Sequence, residues 1–350
     1  MSDFIKKAKA VVIGHAIGDA LGVPVEFRSR EYLDENPITD MIGYGTYPVP
    51  KGAWSDDTSM SLCALECIFQ NIINLKRTMQ NFYLWLYMGA FTPFDKPFDV
   101  GNTCREAIDN FVSGRRRFDK CGLNDEYSNG NGSLMRIHPF ALAKISSIYL
   151  STDYEFLQKV VFHIKDVNEI RAASTLTHAH PRSRLGCILY YFILSGLFRN
   201  PCKESVMQGL KQAVCLYNEC HEYEIRRRLS TVYDDFVAEE KEFKAYSRLF
   251  NGIEKLPRES IKSDGYVVHT LEAAVWCLLT TDSYKECVLK AVNLGNDTDT
   301  TAAVAGGFAG ALYGYNAIPQ EWKDSLIKRE YIEELCEKAF NDEINFKEED

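Results

Sequence analysis

No two cysteines of this 350-residue chain stand in a Cys-x-x-Cys spacing, and no glycine-rich stretch ends in Gly-Lys-Ser/Thr. No uninterrupted apolar run reaches the roughly 18 residues of a membrane span. The first absence leaves 11 cysteines, an odd number set mostly in apolar stretches, as buried thiols of a reducing compartment. The second excludes a P-loop. The third, with no signal peptide in Met1–Lys7, points to a cytoplasmic protein with no membrane partner. Positive charge is also short: 40 Lys and Arg against 49 Asp and Glu give −9, which argues against general nucleic-acid binding. Sustained period-two alternation is missing, as are linkers and internal repeats. An all-α chain is therefore expected, one multi-helix domain over residues 1–350, with 46% apolar residues to fill its core.

What the chain has is two short acid clusters far apart in sequence. Ser55-Asp56-Asp57-Thr58 precedes the apolar positions Met60, Leu62, Ala64 and Leu65. Asn296-Asp297-Thr298-Asp299-Thr300-Thr301 precedes a run from Ala302 to Leu312. Each would occupy a helix N-cap or first turn, where free N–H groups and the helix dipole favour anions. Two caps do not need four carboxylates, and adjacent aspartates repel unless a cation compensates them. Brought together, Asp56, Asp57, Asp297 and Asp299, with Ser55 and Thr300, make an all-oxygen cage. Mg²⁺, Mn²⁺ or Ca²⁺ prefer such a cage, whereas zinc prefers His and Cys. The second helix holds Gly306, Gly307 and Gly310, each costing about 1 kcal/mol relative to alanine. Small residues at that density predict a central helix approached closely by another backbone.

The periodicity predicts a helix over 4–21, ended by Pro24, with Asp19 as a partner for a neighbouring helix end. Glu26, between Val25 and Phe27, is either paired or functional, because unpaired burial is costly. Residues 28–53 are a Pro/Gly-rich loop of lid-like length. Helices are expected over 58–75 and 78–90. Asp99 is either a cap for the following helix or a site carboxylate. Tyr127 to Arg136 is a Gly/Asn/Ser loop entering a helix, suited to an anion. His178 and His180 separate two helices as a cap or pocket wall, since zinc would lack a third ligand. In the charged, helical segment 203–262, Arg226-Arg227-Arg228 and Glu239-Glu240-Lys241-Glu242 read as solvated faces. A turn at Ser263–Gly265 leads through Tyr266 to helices over 271–279 and 283–293. The tail from Glu333 is amphipathic, then charged and frayed over 341–350.

At these motifs the chain resembles the ADP-ribosylglycohydrolase family, over blocks 14–27, 52–62, 98–103, 129–136, 177–182, 265–274 and 293–314 in that order. The resemblance implies an orthogonal multi-helix bundle with two Mg²⁺ or Mn²⁺ ions. Ser55, Asp56, Asp57, Asp297, Asp299 and Thr300 would be their ligands. It implies that Ser128, Asn129, Gly130, Asn131, Gly132, Ser133 and Met135, with Gly101, Asn102 and Thr103, hold ADP-ribose. His178 would lie beside that ligand, with Tyr266 and Asp99 near the modified side chain. Glu26 matches the family's loop glutamate, and Glu26, Asp56, Asp99 and Asp299 are the catalytic candidates.

The expected activity is hydrolysis of the bond between ribose C1″ and a modified protein side chain, arginine first, releasing ADP-ribose from an ADP-ribosylated protein substrate. Carboxylates stabilise oxocarbenium character at C1″, and divalent ions position a water and lower its pKa. Glu26 or a cage aspartate then serves as general base. Alternatives are serine-linked or free ADP-ribosyl derivatives, a nucleic-acid end, a metal-dependent phosphohydrolase, and a non-enzymatic binder. A monomer is expected.

Overall fold

Glycine or alanine at every fourth position leaves a helix stripe with almost no side chain, so two such stripes can meet backbone to backbone. This contact organises the computed structural model, which describes residues 3–69, 72–149, 156–221 and 232–341. Those residues form 16 α-helices. In chain order the first eight are α1 (Asp3–Gly22), α2 (Arg30–Glu35), α3 (Asp56–Leu65), α4 (Leu75–Met88), α5 (Asn102–Val112), α6 (His138–Tyr149), α7 (Phe156–Thr175) and α8 (Pro181–Arg199). The rest are α9 (Glu204–Glu219), α10 (Tyr233–Glu240), α11 (Ser247–Phe250), α12 (Val267–Leu279), α13 (Tyr284–Val292), α14 (Thr298–Tyr313), α15 (Gln320–Ser325) and α16 (Arg329–Phe340).

Helices α1 and α14 touch along the small-residue stripes. A Cβ added at Gly14 would lie 2.5 Å from the Gly306 carbonyl oxygen, and one at Gly18 only 2.1 Å from that of Ala302. At Gly22 it would fall 2.3 Å from Asp299 Cα, and at Gly310 2.0 Å from the Ala10 carbonyl oxygen. Rising numbers on one helix meet falling numbers on the other, so the pair is antiparallel. The C-terminus of α1 therefore lies at the N-terminus of α14, where the Thr298 hydroxyl donates to the Gly22 carbonyl at 2.8 Å. One buried apolar cluster runs from Phe4 to Phe340 around this pair and takes in α8. A smaller cluster, with Met60, Met79, Phe82, Trp85 and Met135, sits beneath α3, α4 and α5.

Four expectations change. Residues Asp3–Val25 are long and apolar enough to cross a membrane although lysines interrupt the run, but 94% of the most apolar window is buried: it is the core helix. The helix expected over 58–75 stops at Leu65, and Ile68–Phe69 pairs antiparallel with Ile72–Ile73. Short β-branched runs fit helix and strand patterns alike. Asp99 is no helix cap, since Gly101 is the N-cap of α5. Glu239 is not solvated. It is fully buried, 2.7 Å from Arg171 and 3.2 Å from Arg184, and accepts the Tyr217 hydroxyl at 2.7 Å. Helical spacing puts it on the same inward face as Phe236. Arg226-Arg227-Arg228 and the tail beyond Asn341 lie outside the described residues.

Because the Gly18 Cβ would strike backbone rather than a movable side chain, Gly18→Ala should force α1 and α14 apart. The expected loss is about 1–3 kcal/mol of stability, read as a lower urea midpoint with helical circular dichroism retained. An unchanged midpoint would show that the contact does not hold the pair.

Candidate active site

The first cluster is set by Asp19, one turn before the end of α1. Its carboxylate accepts the Ser55 backbone N–H at 2.9 Å, and the Thr58 N–H and hydroxyl at 3.1 and 2.6 Å. These bonds satisfy orphan donors at the start of α3 and leave Asp56 and Asp57 in its first turn. Ser55 is the N-cap, its Oγ accepting the Asp57 N–H at 3.3 Å. Asp19 also stands within 4.8 Å of Asp57 and Asp299, but its oxygens are already engaged by α3, so it positions that helix.

The second cluster follows a left-handed turn at Gly295 and Asn296, φ 81° and 62°. There Asn296 and the Glu26 loop exchange backbone bonds: Phe27 N–H to Asn296 C=O at 2.6 Å, and Asn296 N–H to Arg28 C=O at 2.7 Å. Asp297 caps α14 and Asp299 lies in its first turn.

The clusters meet at Asp57. The Thr300 hydroxyl donates to Asp57 Oδ2 at 3.3 Å across 243 residues of chain, and the Ser55 hydroxyl donates to the same oxygen at 3.1 Å. Four buried carboxylate oxygens of these clusters and the Glu26 loop have no hydrogen-bond partner: Glu26 Oε2, Asp57 Oδ1, Asp297 Oδ1 and Asp299 Oδ2. Burial, then neighbouring carboxylates, pushes Asp56, Asp57 and Asp299 well above the ordinary carboxylate range. Asp297 is raised by burial, against a hydrogen bond from Asn131. Orphaned, crowded carboxylates call for a compensating charge. The donors are all oxygen, which fits a hard divalent cation and not zinc.

Glu26, Asp99 and Asp299 form a second group within 4.8 Å. Glu26 thus adjoins the cage rather than standing apart from it, and only 4% of it is exposed. Asp99 takes a left-handed φ of 52° and accepts the Tyr47 hydroxyl at 2.9 Å. Nothing in the sequence separates Tyr47 from the other tyrosines of its Pro/Gly-rich loop.

The Gly/Asn loop lies against the cage. Asn131 Nδ2 donates to Asp297 Oδ2 at 2.7 Å, and Gly130 pairs with Tyr266 in an isolated bridge. The Ser128 hydroxyl bonds Asp125 at 2.6 Å, and Asn129 accepts the Ser183 hydroxyl at 2.9 Å, so both stiffen the loop. Ser133 bonds Ser174 at 3.0 Å, and Met135 is buried in the smaller apolar cluster, both on the loop's inner side. A turn, not a helix, spans 132–136, and α6 begins only at His138. Gly132 packs on His178: an added Cβ would meet its Cε1 at 2.9 Å and Cys104 Sγ at 2.8 Å. That contact brings the first turn of α5, with exposed Gly101 and Asn102 and half-buried Thr103, to the loop. His180 caps α8 through Nδ1, while burial holds His178 neutral, its pKa near 3.

A helical body thus brings distant acid clusters together beside a glycine-rich loop. The family model described as ADP-ribosylglycohydrolase matches residues 1–347. The ADP-ribosylarginine hydrolase Tri1 of Serratia proteamaculans is 31% identical over 97% of this chain and 80% of its own length. The ADP-ribosyl-[dinitrogen reductase] glycohydrolase of Rhodospirillum rubrum is 28% identical over 91% of this chain and 90% of its own length. A solved ADP-ribosylglycohydrolase-related protein complex superposes with a TM-score of 0.72 at 26% identity, covering 97% of this chain and 99% of that one. The chain belongs to the ADP-ribosylglycohydrolase family, and it is a hydrolase.

Burial, then Asp99 and Asp297, raises Glu26 from 4.5 to about 9. A carboxyl raised on folding stabilises the fold below its unfolded pKa and loses that contribution as pH climbs through the folded value. In chelator, the thermal midpoint should therefore fall as pH rises from about 4.5 to about 9. Glu26→Gln, which cannot ionise, should flatten the decline. A midpoint that rises across this window would contradict the burial of Glu26.

Proposed function

We propose that this hydrolase is metal-dependent and cleaves the N-glycosidic bond between ADP-ribose C1″ and a protein arginine side chain, reversing mono-ADP-ribosylation. The observation that carries the reading is the bond from Asn131 to Asp297, which sets an anion-suited loop directly beside orphaned carboxylates. Similarity to an ADP-ribosylarginine hydrolase supports the acceptor. Eleven free cysteines, nine of them buried, support a cytoplasmic setting.

In this reading Asp56, Asp57, Asp297 and Asp299, with the Ser55 and Thr300 hydroxyls, would hold two Mg²⁺ or Mn²⁺ ions. When bound, the ions supply positive charge that ionises the carboxylates, orients ribose hydroxyls and acidifies a water. Glu26 Oε2, free of other partners, takes the proton of the attacking water. The water oxygen bonds C1″ as the C1″–N bond breaks, and the leaving guanidine nitrogen takes up the proton that Glu26 accepted. Carboxylates around the ribose oppose the positive charge developing at C1″. Asp99, fixed by Tyr47, pairs with the guanidinium. The loop from Ser128 to Met135, Gly101 to Thr103, His178 and Tyr266 enclose ADP-ribose.

The deciding experiment is a release assay on a panel of defined ADP-ribosylated peptides. Free ADP-ribose from the arginine-linked peptide is expected. AMP would mean phosphoanhydride cleavage, and preference for the serine-linked peptide would move the acceptor. EDTA should abolish release and Mg²⁺ or Mn²⁺ restore it. Glu26→Gln should slow turnover by about 10²- to 10⁴-fold; near-wild-type turnover would shift the base to a cage aspartate.

A further inference from the structure

Behind the glycine-rich loop lies a cation that the proposed chemistry does not use. Arg136 is fully buried, and among the described residues no carboxylate pairs with it. Its guanidinium donates to the Ala173 carbonyl at 3.3 Å and to Thr177 Oγ1 at 2.8 Å, and lies 4.7 Å from the Phe82 ring centroid. Its charged neighbours in principle are the thiols of Cys63, Cys104 and Cys187, but burial raises all three and keeps them neutral. Burying an unpaired cation is costly. The Ala173 bond alone would make Arg136 a cap for the end of α7, yet the Thr177 bond continues further.

Thr177 Oγ1 stands 2.8 Å from His178 Nδ1. A hydroxyl has one proton to give. Since Arg136 can only donate, Thr177 Oγ1 accepts from it, and its own proton goes to His178 Nδ1, a stronger acceptor than the neighbouring Cys104 sulfur. A neutral imidazole whose Nδ1 accepts must carry its proton on Nε2. That Nε2 faces the glycines of the loop: added Cβ atoms at Gly132 and Gly130 would lie 3.5 and 3.8 Å from it.

We infer that Arg136 and Thr177 form a hydrogen-bond relay that fixes the Nε2–H tautomer of His178, presenting a polarised donor to an anionic group seated on the Gly130–Gly132 loop. Donation from a guanidinium strengthens the next bond in the chain. Arg136 and Thr177 are thus positioning residues, acting through His178 without touching the ligand. That the anion is the diphosphate of ADP-ribose rests on the function proposed above.

The test uses the full chain with ¹⁵N-labelled histidine and calorimetric titration of ADP-ribose. Long-range ¹H–¹⁵N spectra, with His178 assigned through His178→Gln, should show Nδ1 bare and Nε2 protonated before any ligand is added. Thr177→Val keeps the bond from Arg136 to Ala173 and removes the relay. It should lose the fixed tautomer and weaken ADP-ribose binding about 10-fold, the effect of one hydrogen bond to a charged group. Thr177→Ser should restore both. Protonated Nδ1 in the wild type overturns the relay whatever the titration gives. Wild-type affinity in Thr177→Val, with the tautomer lost, overturns its role in binding. A fixed Nε2–H tautomer in a wild type that binds no ADP-ribose leaves the relay standing and overturns the proposed function instead.

Discussion

The backbone contact between α1 and α14 is the constraint on which the site depends. Gly18 and Gly22 carry no side chain because the α14 backbone occupies that space. This register puts the end of α1 at the first turn of α14, and Asp19, between the two glycines, then reaches sideways to the start of α3. One helix thereby fixes two others by different means, sterically on one face and by a buried carboxylate on another. The acid clusters meet as a consequence, with Thr300 against Asp57.

The site concentrates negative charge where helix ends are positive. Both α3 and α14 point their N-termini inward, and their free N–H groups and dipoles favour carboxylates there. That attraction does not cover four orphaned oxygens, which lack protein donors because the hydroxyls of Ser55 and Thr300 both go to Asp57 Oδ2. Some buried charge elsewhere is satisfied internally, as where Glu239 takes Arg171, Arg184 and Tyr217. Four such oxygens gathered in one place mark the candidate site, although other orphaned atoms occur elsewhere.

Two loops complete the site and both are anchored to its second cluster. The Glu26 loop exchanges backbone bonds with Asn296, and the glycine-rich loop reaches Asp297 through Asn131. Any ligand that orders residues 295–299 therefore bears on both loops at once.

The sequence by itself determined the helical class, the two acid clusters as helix starts, the small-residue helix and the Gly/Asn loop. Each is a local pattern: a period, a cap, or a run of residues lacking side chains. It also contained Asp19 as a partner for a helix end, because a carboxylate inside an apolar stripe needs donors. Tertiary structure alone decided that Asp57 and Thr300 touch and that Glu26 stands against Asp99 and Asp299. It alone enlisted Tyr47, buried Glu239 against two arginines and paired Ile68–Phe69 with Ile72–Ile73. Those outcomes depend on which backbone lies across from a residue, and the packing of α1 on α14 sets that by shape, which no spacing along one chain encodes.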